Sequence, residues 1–261
     1  ALNAATGVAN CFYDSVPVLF LCGQVSTKVL RLPYSMLRQR GFQECPTAVV
    51  FEPITEMSVE VTSVYLVKEV LDDAIRTALQ GRPGPVVLSL PLDVLGAQMP
   101  EMWPESLSSH PGGPKAGAVP VDRETQARCL AALVEAERPV IIAGGGALKH
   151  ADAVRAFAER FNVPVFTTWN ALEVAPYDWM LCGGTLGTYG GGRGRNFAVQ
   201  QADFVLALGT RLSGRLFGGR PNTFLRGAHG NIWHVDVDRG VLVGLQQDLV
   251  ALQRTTMHSC V

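Results

Sequence analysis

The feature that most narrows what this chain can become is a series of short apolar runs, each cut off by glycine, proline or a polar cluster. Val18–Cys22 is bounded by Pro17 and Gly23, Val86–Leu90 closes at Pro91, and Pro139–Ala143 runs into Gly144-Gly145-Gly146. Val163–Thr167, Phe204–Gly209 and Ile232–Val237 repeat the pattern. Such runs fit strands buried on both faces, as in parallel sheets. Between them lie stretches of helical spacing. Val64, Val67, Leu71, Ile75, Ala78 and Leu79 recur at helical intervals and Gly81 follows as a stop. Ala4–Tyr13, Glu124–Ala136, Ala151–Phe161 and Asn196–Gln201 read as further helices. Strand, helix and strand in alternation imply parallel crossovers, so the expected class is α/β.

Two domains are expected from 261 residues, since a domain usually holds roughly 100–200. Gly96–Val121, rich in Pro, Gly and Ser, reads as a linker. It separates a first parallel-sheet domain (1–95) from a second, doubly wound nucleotide-binding-type domain (122–245), followed by a tail (246–261). The first domain reads as incomplete, because Ala1–Asp14 is a helix already under way with no strand before it. The tail Ala251–Val261 shows no closing element, and a fragment of a longer chain is expected.

A net charge of −1 gives no electrostatic footprint for nucleic acid or an anionic membrane. No apolar run is long enough for a membrane span and no secretory signal is visible. Six cysteines without a CxxC pair point to buried thiols in a reducing, cytoplasmic setting rather than to disulfides or zinc. The histidines lack metal-ligand spacing, and no metal site, Walker loop or nucleophile elbow occurs.

The chemistry-bearing signals cluster in the second half. The strand ending in Gly144, Gly145 and Gly146 either turns tightly or lets a ligand approach the backbone. A second apolar strand ends at Gly209 and leads into Thr210, Arg211, Ser213 and Arg215. Two arginines at this spacing could clamp a diphosphate. Ile232–Val237 brings Asp236 to a strand end, where a carboxylate can bind ribose hydroxyls. Gly183–Gly194 reads as a long mobile loop near the same place, His234 as structural, and Trp169 as core in preference to a ring that stacks on a flat ligand.

These residues, taken in order, resemble thiamine-diphosphate enzymes of the acetolactate synthase kind. Ala1–Val18, Gly23-Gln24-Val25, Gly41-Phe42-Gln43-Glu44 and Gly81–Val86 are similar to successive landmarks of that family's pyrimidine-binding domain. Arg138–Gly146, Leu208–Arg215 and Trp233–Asp238 are similar to its central domain. The resemblance implies thiamine diphosphate and Mg²⁺ as cofactors and a small 2-oxo acid as substrate, with carboligation or decarboxylation as the reaction. A homodimer or homotetramer of the full-length protein follows from it too. Gln24, Phe42 and Gln43 correspond to residues lining the active site. Arg82, Gly144, Gly145, Arg211, Arg215 and Asp236 correspond to positions holding FAD in acetolactate synthases, with Gly146 adjoining them.

The same resemblance puts the activating Glu upstream of residue 1 and the Gly-Asp-Gly metal segment downstream of residue 261, so this polypeptide alone is expected to be inactive. No Gly-Asp-Gly occurs in it. Ser26 stands where the family generally has Pro, Leu92 where it has Lys, and Ser213-Gly214 where it has an acidic pair. Ser26–Arg40 is longer than usual and carries Arg31, Arg38 and Arg40. A non-catalytic module binding FAD, NAD or a CoA-type nucleotide is the alternative.

Overall fold

A computed structural model describes residues 1–32, 37–102, 121–218, 225–228, 231–238, 240–242 and 257–260. The chain divides into two compact units, Ala1–Gly117 and Ala118–Val261. Most of the expected linker (103–120) and most of the tail lie outside the described residues.

The first unit holds a parallel sheet of β1 (Leu19–Gln24), β2 (Met57–Glu60) and β3 (Val86–Pro91) in the order β1-β3-β2. Helix α1 (Ala5–Asp14) precedes β1. The short α2 (Thr27–Leu30) and α3 (Thr47–Phe51) stand between β1 and β2, α4 (Val67–Leu79) between β2 and β3, and α5 (Leu92–Leu95) after β3. Both faces are covered. Val70, Ala74 and Ala78 of α4 pack with Met57, Val86 and Leu88, while Val8 of α1 and Phe51 of α3 pack with Cys22 and Val87.

Three readings need correction here. β1 is not buried on both faces: it flanks β3 at the sheet margin and Leu21 is 60% exposed. Ile75 and Leu79 face out of α4, because the small side chains Ala74 and Ala78 let the helix sit close on the sheet. Among Cys11, Cys22, Cys45, Cys129 and Cys182, Cys22 is buried and the other four are half-buried, all as free thiols.

The second unit opens with α6 (Arg123–Glu135), whose start is fixed by Asp122 accepting from Thr125 N at 2.8 Å. Its sheet contains β4 (Pro139–Ala143), β5 (Val165–Thr167), β6 (Cys182–Thr185), β7 (Phe204–Leu208), β8 (Ile232–Val235) and β9 (Met257–Cys260). Helices α7 (Ala151–Phe161), α8 (Arg193–Gln201) and the short α9 (Gly214–Phe217) complete it. All pairings are parallel and the order is β6-β5-β4-β7-β8-β9. That is the 3-2-1-4-5-6 order of dinucleotide-binding sheets, with its switch point between β4 and β7.

Alternate residues show the double winding. Ile141, Ala143, Phe204, Leu206 and Trp233 face α6 and α7, through Leu133, Val154 and Ala158. Val140, Ile142, Val205, Ala207 and Ile232 face the other way, against Val199 of α8. Each large apolar side chain so buried contributes roughly 1.5–3 kcal/mol, before the entropy of ordering it.

Two strands of this sheet were not expected. Gly183–Thr185 belongs to β6 and Arg193 opens α8, so the glycine-rich loop shrinks to 186–192. The tail contains β9, paired with β8.

Candidate functional site

β4, β7 and β8 are neighbours, and the loops leaving their carboxyl ends meet at one edge of the second sheet. Gly144 N donates to Leu208 O at 2.8 Å, Gly146 N to Gly209 O at 3.1 Å and Gly209 N to Val235 O at 2.8 Å. A Cβ on Gly144 would lie 2.2 Å from Gly209 O. One on Gly209, whose φ is +55°, would lie 2.6 Å from Gly146 Cα. Gly144 and Gly146 are therefore required by the crossing of two backbones, the tight-turn role. Gly145 differs, since it is exposed and a Cβ there would meet only Asn170, at 3.4 Å.

The loop after β7 is held from below. His234 is fully buried, and its Nε2 donates to Thr210 O at 2.6 Å. Burial holds its imidazole below the ordinary range, against the opposing pull of the Thr210 carbonyl and of Asp236. Thr210 Oγ1 accepts from Leu212 N at 3.3 Å. Leu212 takes φ 43° with its side chain 1% exposed, which pins the loop into the core and leaves Arg211 at the surface. Arg215 is exposed on α9. Asp236 Oδ1 accepts from Asp238 N at 2.9 Å, so this carboxylate braces its own turn.

The structure thus brings Gly144–Gly146, Arg211, Arg215 and Asp236 to one edge at the switch point. Two guanidinium forks, exposed glycine backbone and a carboxylate suit a diphosphate joined to a ribose. Beside Arg215 the loop 186–192 is fastened by Thr188 N donating to Arg215 O at 2.9 Å. Asn196, not anticipated from sequence, accepts from Gly187 N at 3.2 Å and donates to Gly187 O at 3.3 Å. An open cleft of about 400 Å³ is lined there by Leu186, Thr188, Arg193, Asn196, Gln200 and Leu216. Trp169 is not core: it is 58% exposed at the end of β5, and a Cβ on Gly190 would lie 2.4 Å from its Nε1. The loop lies against the indole edge because Gly190 has no side chain.

In the first unit Gln24 ends β1 and is occupied structurally. Its Nε2 donates to Cys45 O at 2.8 Å and its Oε1 accepts from Val25 N at 2.9 Å. That links it to the turn bearing Phe42, which is 87% exposed, and Gln43, whose φ of 54° is left-handed. A left-handed non-glycine residue costs roughly 1–2 kcal/mol, so its surroundings must hold it. Arg82 is elsewhere. It precedes β3, at the amino edge of the sheet, and its Nε donates to Ser15 Oγ at 2.8 Å. The structure does not bring Arg82 together with Gln24, Phe42 and Gln43. Among the described residues no group of three or more His, Cys, Asp or Glu is placed to hold a metal ion.

Residues 127–254 match the profile of the thiamine pyrophosphate enzyme central domain. The chain is 34% identical over 254 residues to the acetolactate synthase isozyme 1 large subunit of Escherichia coli, covering 97% of this chain and 42% of that protein. It is 31% identical over 242 residues to the isozyme 3 large subunit of the same organism, covering 91% and 40%. With the acetolactate synthase large subunit of Corynebacterium glutamicum the identity is 32% over 250 residues, covering 95% and 38%. The chain spans about two fifths of the length of these relatives. A match along nearly the whole chain, with the central-domain profile on the doubly wound unit, places it plainly: the chain belongs to the thiamine-diphosphate-dependent, acetolactate-synthase-like enzyme family.

Proposed function

We propose that this chain is part of a 2-oxo acid carboligase or decarboxylase, with its second unit binding FAD. The observation that carries the reading is the convergence of Gly145, Arg211, Arg215 and Asp236 at the switch point of a 3-2-1-4-5-6 sheet. Arg211 and Arg215 would hold the FAD diphosphate, Asp236 a ribose, and the exposed backbone at Gly145 and Gly146 would let the ligand lie close. Gly144 supports the loop from behind, and a role for Arg82 toward FAD rests only on its resemblance to a family position.

In the first unit Gln24, Phe42 and Gln43 would line the thiamine diphosphate site, with Phe42 offering an exposed ring and Gln24 fixing the turn that carries it. Thiamine diphosphate, when bound, supplies the electron sink for loss of CO₂ from the oxo acid. The Mg²⁺ that anchors its diphosphate would need ligands from outside these residues. The substrate entrance is less cationic than in relatives with Lys at this position, because Leu92 stands there and is 69% exposed. Among the described residues no helix is long and apolar enough to cross a membrane, and we place the protein in the cytoplasm as a homodimer or homotetramer.

By itself the 261-residue chain is expected to be inactive, since it contains no Gly-Asp-Gly segment. Supplying it with a 2-oxo acid, thiamine diphosphate and Mg²⁺ should release CO₂ no faster than the protein-free mixture. Sustained CO₂ release would refute that part of the reading.

A further inference from the structure

Arg40 occupies a place that neither the proposed chemistry nor the family resemblance explains. It stands immediately before the Phe42–Gln43 turn, yet its side chain is only 8% exposed. Its Nη2 meets Glu44 Oε1 at 2.8 Å, and the Glu44 side chain is fully buried. Arg40 N also donates to Glu44 Oε2 at 3.4 Å, and Glu44 N to Gly41 O at 3.3 Å, so the base of the turn is closed from both sides. The guanidinium's other branch reaches back along the chain, donating to Leu30 O and, at 3.3 Å, to Leu32 O. Those carbonyls end the segment that starts at α2, which is tied to Asp93 by Thr27 N at 2.9 Å and Thr27 Oγ1 at 2.5 Å.

We propose that Arg40 is a positioning residue: its guanidinium staples the segment after β1 to the base of the 40–44 turn and so fixes where Phe42 and Gln43 are presented. The planar fork is what the task needs, because one group must satisfy a carboxylate on one side and two carbonyls on the other. Gly41 completes the seat. A Cβ there would come within 2.9 Å of Val25 Cγ1, so the turn lies directly on the chain leaving β1. Glu60, at the end of β2, lies within electrostatic reach of both Arg40 and Glu44. Burial raises its carboxyl above the usual range, Arg40 lowers it and Glu44 raises it further, so one cation serves two carboxylates.

The bearing of this staple on catalysis rests on the proposed role of Phe42 and Gln43, but the staple itself is tested without turnover. Wild type, Arg40→Met and Arg40→Lys are compared as the full chain. Amide exchange is read across residues 41–45 and across α4 as an internal reference, and chymotrypsin nicking is read after Phe42. Both variants should exchange at least tenfold faster at 41–45, with α4 unchanged, and be nicked at least tenfold faster. Lys keeps the charge but cannot span both sides, so a Lys variant matching wild type overturns the fork's role. Equal acceleration in α4 and the turn overturns positioning in favour of general destabilisation. Should Arg40→Met fail to fold, the Lys variant decides alone. Absence of FAD binding or turnover would count against the proposed function and leave these exchange results standing.

Discussion

At the carboxyl edge of the first sheet the loops are tied by side chains, whereas at that of the second they are packed backbone on backbone. In the first unit the Arg40–Glu44 pair, the Gln24 amide and the Thr27–Asp93 contact lace three segments together. In the second, Gly144 and Gly146 lie on Gly209, and one imidazole, His234, supports the crossing. The first arrangement depends on charge and hydrogen-bond partners. The second depends on the absence of Cβ atoms and leaves its charged groups, Arg211 and Arg215, exposed.

The two edges should therefore break under different substitutions. Arg40→Met leaves the buried Glu44 carboxylate without its guanidinium and should cost the 40–44 turn about 3–5 kcal/mol of local opening free energy, read by amide exchange against an unchanged α4. Replacing both partners with Met removes the unpaired charge and should recover most of that loss. A double variant as unstable as the single one would mean the ion pair is not what matters. Gly144→Ala should cost the second unit about 3 kcal/mol, because its Cβ has nowhere to go between Gly209 and Thr210. Equal tolerance of Ala at Gly144 and in an open position would contradict the backbone-packed picture.

Acid should separate the edges as well, in opposite directions. His234 has its folded value depressed by burial, so the unfolded chain binds the proton first. The second unit loses stability as pH falls below the ordinary value of 6.5. Glu60 is raised from its ordinary 4.5 by burial, so there the folded chain binds the proton first. The contribution of Glu60 is fully present below 4.5 and lost as pH rises through the raised value. Amide exchange of each unit between pH 7 and 4 should show both slopes, with His234→Gln and Glu60→Gln each flattening its own. The smallest effect expected is at Gly194 in α8, where a Cβ meets nothing within 4 Å. Gly194→Ala should stabilise the second unit by roughly 0.5–1 kcal/mol, and a loss on thermal unfolding would show an unrecognised constraint.

How much of this was legible in the sequence differs along the chain for physical reasons. Pro139–Ala143 and Ala151–Phe161 have the bounds their pattern predicts, because an apolar run ending in glycine and a strongly amphipathic stretch both carry their own stop signals. β2 was missed since Ser58 and Glu60 alternate with its apolar residues in a four-residue strand. β6 was missed because Cys-Gly-Gly-Thr, half-buried at a sheet margin, has the composition of a loop. At the site, the glycines and arginines that end strands were visible. The Arg40–Glu44 staple was not: two opposite charges four residues apart ordinarily read as a solvated pair, and only the fold buries them. Trp169 misled for the opposite reason, since a large ring suggests core and the strand-end turn leaves it at the surface.

The most direct test of the strand-end cradle is FAD titrated into the purified chain by calorimetry, with Arg211→Met as the comparison. Saturable one-to-one binding, weakened about tenfold by loss of a charge-assisted contact to the diphosphate, is the predicted result. An Arg211→Met variant that binds FAD as tightly as wild type, or a wild-type chain that binds none, would contradict it.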